Sequence, residues 1–171
     1  MEGDWKEVIE KYEKRPSFHK VIIQGGGTAL HVAVSNANKD TVQCLVDAIV
    51  KHNGDTTLHP HHPLHQKDDR GDTTLHPLQV KDDRGDTPLH LAAYRGFKSM
   101  CECIIGKNGE RKDLVRELNE KKETPLFCAV LARNKETFLY LHYLFPKDIN
   151  LVYNKDGRTI LHVAIHREMF G

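Results

Sequence analysis

The sequence predicts an all-α solenoid: a row of stacked helix–turn–helix units with turn fingers, about three to four units long and ending in half-units. Three observations carry this. A nine-residue motif occurs four times along the 171-residue chain, each of the first three copies is followed by an amphipathic segment, and the motif holds the residue types that start a short helix.

The copies are GGTALHVAV at 26–34, GDTPLHLAA at 85–93, KETPLFCAV at 122–130 and GRTILHVAI at 157–165. Their threonines, Thr28, Thr87, Thr124 and Thr159, are separated by 59, 37 and 35 residues. Self-similarity at such a period marks a repeat array, in which each unit buries its apolar face only by stacking on its neighbours. Thr87 is placed to cap a helix with its hydroxyl, and Pro88 stands at the first helical position, where its missing N–H costs nothing. Gly26, Gly85 and Gly157, two residues before the threonines, suit a turn with positive φ. Lys122 holds that place in the third copy and should carry about 1 kcal/mol of strain. Leu30, Leu89, Leu126 and Leu161 are expected to be buried. Ala33, Ala92, Ala129 and Ala164 are small enough for helices to approach closely.

The second helices are expected at 41–50, 98–105 and 136–145, where apolar residues recur every three or four positions, as with Val42, Leu45, Val46 and Ile49. Residues 4–14 pattern like another second helix, with Trp5, Val8, Ile9 and Tyr12 on one face and no first helix before it. The last copy has a first helix and no second.

The middle is irregular. GDTTLHP stands at both 54–60 and 71–77, and in each a proline falls at the fourth helical position, so neither Pro60 nor Pro77 permits a normal helix start. KDDRGDT at 67–73 returns at 81–87, only 14 residues on, too few for two helices at about 1.5 Å per residue and a turn. The chain therefore divides into 1–53 (a half-repeat and the first repeat), 54–81 (an irregular polar loop with a duplicated turn motif) and 82–171 (further repeats, the last truncated).

These motifs resemble the ankyrin family, whose TPLH histidine, which hydrogen-bonds within the turn, is matched by His31, His90 and His162, with Phe127 departing from it. The opening GDWKEVIEKYEK together with GGGTALHVAV at 25–34 is similar to a plant ankyrin group whose members carry a C-terminal PGG-type membrane domain. That resemblance implies a non-catalytic scaffold that binds another protein, with a stress or defence signalling role and membrane tethering in full-length relatives. No such anchor is found in this sequence.

Composition excludes several other classes. With 25 basic and 24 acidic residues, net +1, nothing drives the chain toward nucleic acid or an anionic membrane. No run approaches the roughly 18 apolar residues of a spanning helix, and the start lacks a signal peptide's apolar core, so an intracellular, cytosolic chain without direct membrane insertion is expected. Cys44, Cys101, Cys103 and Cys128 show neither zinc spacing nor a disulfide framework. Cys101 and Cys103 point about 200° apart on a helix, and Cys101 is the expected core member. Gly25, Gly26 and Gly27 lack the Lys-Ser/Thr of a phosphate loop. The Ser, Cys and carboxylate residues recur as repeat or surface positions, so no catalytic site and no cofactor is expected.

The most tempting chemistry is His59, His61, His62, His65 and His76 in the middle segment. They raise the alternative of a metal- or ligand-responsive sensor, against which His59 and His76 look like copies of the turn histidine. The two Arg-Gly-Asp tripeptides, 70–72 and 84–86, are explained by the repeat turn.

In an ankyrin stack the turn tips and the open side of each first helix form one concave face. The resemblance places there the residues after the packed alanines: Ser35, Asn36, Tyr94, Arg95, Leu131, Ala132, His166 and Arg167. It adds the turn residues Asp83, Arg84, Asp86, Glu120, Lys121, Glu123, Lys155, Asp156 and Arg158. Tyr94, Arg95 and Arg167 are the leading candidates, because tyrosine and arginine dominate interface energies.

Overall fold

The structure, a computed structural model, describes residues 5–53, 76–144 and 154–167. Among them are eight α-helices: α1 (Trp5–Lys14), α2 (Ala29–Ser35), α3 (Lys39–Asn53), α4 (Pro88–Arg95), α5 (Lys98–Ile105), α6 (Pro125–Leu131), α7 (Lys135–Leu144) and α8 (Ile160–His166). The described residues hold no strand, only one isolated bridge between Ile23 and Gly27. Two layers result. The short first helices α2, α4, α6 and α8 contact one another in sequence, and so do α1, α3, α5 and α7 behind them.

The core follows the motif. Leu30, Leu89 and Leu126 are at most 1% exposed, and the four packed alanines, Ala33, Ala92, Ala129 and Ala164, are likewise at or below 1%. Leu161 departs from the expectation at 65% exposed, together with Ile165 at 68%. These are the positions filled in α2, α4 and α6 by fully buried residues. Their cover in a repeat comes from elements not present among the residues described beyond α8.

Cys103 is also a correction. It is buried, as Cys101 is. Helix α5 touches α3 on one side, α7 on the other and α4 in front, so both of its lateral faces are covered and residues 200° apart can both be core.

Of the expected middle segment, 54–81, residues 76–81 are described. Residues 54–75 lie outside the described residues, and with them His59, His61, His62 and His65. Pro77–Gln79 form a single 3-10 turn in which all three residues are buried and Leu78 is fully enclosed. Gln79 Nε2 donates to Glu117 Oε1 at 2.7 Å and Lys81 Nζ to the Leu118 carbonyl at 2.7 Å, so 76–81 belong to the packed array. Pro77 does forbid an α-helix, but it serves as the first residue of this tighter turn. His76 caps it, its Nδ1 accepting from Leu78 N–H at 3.3 Å; Thr73, the cap threonine of that motif copy, lies outside the described residues.

Backbone strain falls at repeat-equivalent places. Lys122 has φ +58° where Gly26, Gly85 and Gly157 have +82°, +74° and +73°. Nine residues after Thr28, Thr87 and Thr124 the chain again turns left-handed, with Gly96 at +76° but Ala37 at +55° and Arg133 at +62°. Sequence reading found the first set and not the second.

Candidate functional site

Three of the four turn fingers are built on a side-chain device five residues before the threonine. Asp82 Oδ1 accepts from the N–H groups of Arg84 and Asp86, each at 2.9 Å; Asn119 Oδ1 does so for Lys121 and Glu123, and Asn154 Oδ1 for Asp156 and Arg158. Each turn is closed by a backbone bond from the same Asp or Asn to the residue before the threonine. An Asx side chain of this kind mimics a backbone turn. The first finger has Ile23 instead and keeps only the backbone bond to Gly27.

The histidines join successive fingers. His31 Nδ1 accepts from Thr28 N–H (3.0 Å) and faces the Thr28 hydroxyl (2.9 Å), which leaves Nε2–H to donate to the Asp86 carbonyl at 3.0 Å in the next repeat. His90 repeats this with Thr87 and donates to the Glu123 carbonyl at 2.9 Å. The geometry requires a neutral ring, and burial favours the same: the His31 value is lowered, and that of fully buried His90 is pushed down to about 4. His162 makes the local bonds to Thr159 but is exposed. Phe127, in the same place of the third copy, is buried and packs without a polar link; there Thr124 Oγ1 caps α6 by accepting from Phe127 N–H at 3.2 Å.

Two adjoining hollows open beside the first helices and the fingers. One, about 480 Å³, lies between α4 and α6, and the other, about 810 Å³, between α6 and α8. Tyr94, Lys121, Glu123 and Leu131 border both. Asp83, Arg84, Asp86 and Glu120 line the first hollow; Lys155, Asp156, Arg158, His166 and Arg167 line the second. Ser35, Asn36, Arg95 and Ala132, also expected on the concave face, line neither. Tyr94 is 55% exposed on a helix whose other apolar residues are mostly enclosed.

Glu123 sits differently from a free recognition residue. It is buried, its carbonyl holds His90, and its carboxylate accepts from Asn119 Nδ2 at 3.3 Å. Asp86 is similarly engaged, through its carbonyl with His31 and through Oδ1 with Asn119 Nδ2 at 2.8 Å. Both lie at the rim but act first as ties between fingers.

The hollows also include Leu91, Cys128 and Val163, four residues after each threonine, and His162. Helical periodicity would have found them, since a stripe through Tyr94 or Leu131 continues one turn back to Leu91 or Cys128. Burial raises the Cys128 thiol well above its usual value, which leaves it protonated and unreactive at neutral pH. Among the described residues no three His, Cys, Asp or Glu side chains are grouped to hold a metal ion. No helix among them is long and apolar enough to cross a membrane.

The layered helix pairs, left-handed fingers and histidine links define a helical-repeat solenoid of the finger-bearing kind. Profiles of ankyrin repeats match residues 61–151, in three copies, and 25–56 as a single repeat, so the chain belongs to the ankyrin-repeat family. Among solved structures it is similar to the ankyrin repeat domain of Bcl-3, described as a unique member of the IkappaB protein family. The TM-score is 0.61 at 23% identity over 85% of this chain, which spans 53% of that domain's chain. No curated protein sequence matches.

Proposed function

We propose that this chain is a non-catalytic scaffold and that another protein docks on its concave face around Tyr94 and Leu131. The single observation that carries this reading is the pair of hollows sharing those two residues. They form one continuous surface whose charged lining side chains, Asp86 and Glu123 aside, make no hydrogen bond or ion pair between repeats among the described residues. An exposed tyrosine over a partly apolar floor, rimmed by charges, has the composition of an interface centre.

The test starts with a partner captured from the source tissue. Tyr94→Ala should weaken its binding by about 2 kcal/mol or more, whereas Arg95→Ala, outside both hollows, should have little effect. Binding indifferent to Tyr94 places the interface on another surface.

The finer reading is that the array is the cytosolic part of a membrane-tethered plant stress or defence protein. Its support is the resemblance of 3–14 and 25–34 to the plant group with a PGG-type domain. Transcript sequence beyond Gly171 encoding an apolar domain is the expected finding; a stop codon there would remove the tethered reading for this chain.

A further inference from the structure

Charge on the concave face is sorted along the solenoid axis. At four and one residues before the cap threonine, the second repeat presents Asp83 and Asp86 and the third Glu120 and Glu123, but the fourth presents Lys155 and Arg158. The position between them runs the opposite way: Arg84, Lys121, then Asp156. Acid–base–acid thus occurs twice and is followed by its inverse.

The fold converts this pattern into two wells of opposite sign. The Lys155 N–H donates to the Lys121 carbonyl at 2.9 Å, which sets Lys121 beside the inverted finger. With Arg158 and Arg167, four cations border the α6–α8 hollow against two carboxylates, of which Glu123 is already held by Asn119. The α4–α6 hollow reverses the count, with four carboxylates against Arg84 and Lys121. Lys121, Lys155, Arg158 and Arg167 form no ion pair among the described residues. Walls of protein on either side of such charges focus their field into the hollow, and screening over about 8–10 Å keeps neighbouring wells distinct.

We propose that the docking partner is an extended peptide segment of split charge: acidic side chains over the α6–α8 hollow, an apolar side chain on the Tyr94–Leu131 saddle, and basic side chains over the α4–α6 hollow. This rests on the concave-face reading and specifies its ligand. Electrostatic complementarity of this kind sets orientation and excludes partners of uniform charge.

Fluorescence anisotropy on the full chain tests it with three synthetic peptides of one composition. Two carry an acidic block, a leucine–phenylalanine core and a basic block, in the two chain directions; the third has the same residues with charges alternating. One split peptide should bind at least about tenfold more tightly than the alternating one and weaken as salt rises. Lys155→Glu combined with Arg158→Glu should abolish that preference, and Asp83→Lys combined with Glu120→Lys should do so from the other end, with helicity unchanged in at least one pair. Equal affinity for the three peptides, or no binding, overturns the proposal. If the charge reversals have no effect but Tyr94→Ala abolishes binding, the concave face stands and the split-charge partner falls. If none of these changes matters, both fall.

Discussion

The junction of α4 with α6 and that of α6 with α8 are built on the same motif yet are held differently. In the first, His90 donates across to the Glu123 carbonyl, Asn119 reaches the Asp86 carboxylate, and Asn134 Nδ2 donates to the carbonyls of Ala93 (3.2 Å) and Tyr94 (2.7 Å). In the second, Phe127 replaces the histidine, and among the described residues the fingers are linked by the backbone bond from Lys155 N–H to the Lys121 carbonyl. Both junctions bury a full-sized ring. Only one of them also satisfies a carbonyl of the next finger, so the difference separates what apolar stacking contributes from what directional bonding adds.

Removing the strongest tie should show the largest effect. His90→Ala leaves the Thr87 N–H and the Glu123 carbonyl short of a buried partner and opens a void, a loss of about 2–4 kcal/mol in denaturant unfolding. His162→Ala, at the exposed equivalent, should stay within about 0.5 kcal/mol. Similar losses at both positions would mean that the link between fingers contributes nothing beyond the local turn.

Acid should weaken the histidine-linked junctions. His90 is held neutral with a folded value of about 4, and His31 and His19 are also lowered, mainly by burial. The unfolded chain takes up protons near 6.5 and the folded chain only near 4, so the unfolded state binds more protons between these values and stability rises with pH there. The contribution is intact above pH 6.5 and is lost on descending to pH 4. His90 alone corresponds to a loss on the order of 2–3 kcal/mol. Thermal unfolding from pH 7.5 to 4 measures this, and the dependence should flatten in His90→Ala.

The weaker junction can be strengthened. In Phe127→His the ring would stand where His31 and His90 do, with the Arg158 carbonyl in the role of Asp86 and Glu123. One added bond of about 0.5–1.5 kcal/mol should slow amide exchange in 159–163 several-fold even where the smaller ring costs global stability. Unchanged exchange there would mean that the last finger is not positioned by such a link.

The smallest effects are expected at the strained turns. Lys122→Gly and Arg133→Gly each relieve a left-handed residue and should stabilise by about 0.5–1 kcal/mol. Gly96→Ala should do the reverse, because a Cβ there meets Asn134 Oδ1 at 2.7 Å and disturbs the side chain that ties α6 to α4. A gain at Arg133 together with a loss at Gly96 would show that the turn between the two helices is imposed in both repeats, and a gain at Lys122 that the finger turn of the third copy is imposed in the same way.

Local chemistry was legible in the chain itself. The threonine caps, Pro88 and Pro125 at helix starts, Gly26, Gly85 and Gly157 in positive φ, and the packed alanines all follow from backbone sterics and side-chain volume. So did the strain at Lys122. The stripe that lines the hollows was legible in part: Tyr94 and Leu131 follow from the repeat register, and Leu91 and Cys128, one helical turn earlier, from the same periodicity, though it was not applied to them. Asp82, Asn119 and Asn154 also had a readable signal, an Asp or Asn five residues before three of the four threonines.

Neighbours decided the rest. No periodicity within α5 could bury both Cys101 and Cys103; flanking α3 and α7 did. Leu161 has the same local sequence environment as Leu89, yet one is exposed and the other enclosed, because burial is set by what stacks against a residue. The 3-10 turn at Pro77–Gln79 joined the core for the same reason, through Leu78 and the contacts of Gln79 and Lys81. By itself the sequence determined where helices and fingers start, since those choices are settled by steric and hydrogen-bonding preferences within a few residues. Only the tertiary structure decided which carbonyl each histidine reaches, which rim carboxylates are committed to holding the stack, and how two charge patterns become adjacent wells, because each depends on residues about a repeat or more apart in the chain.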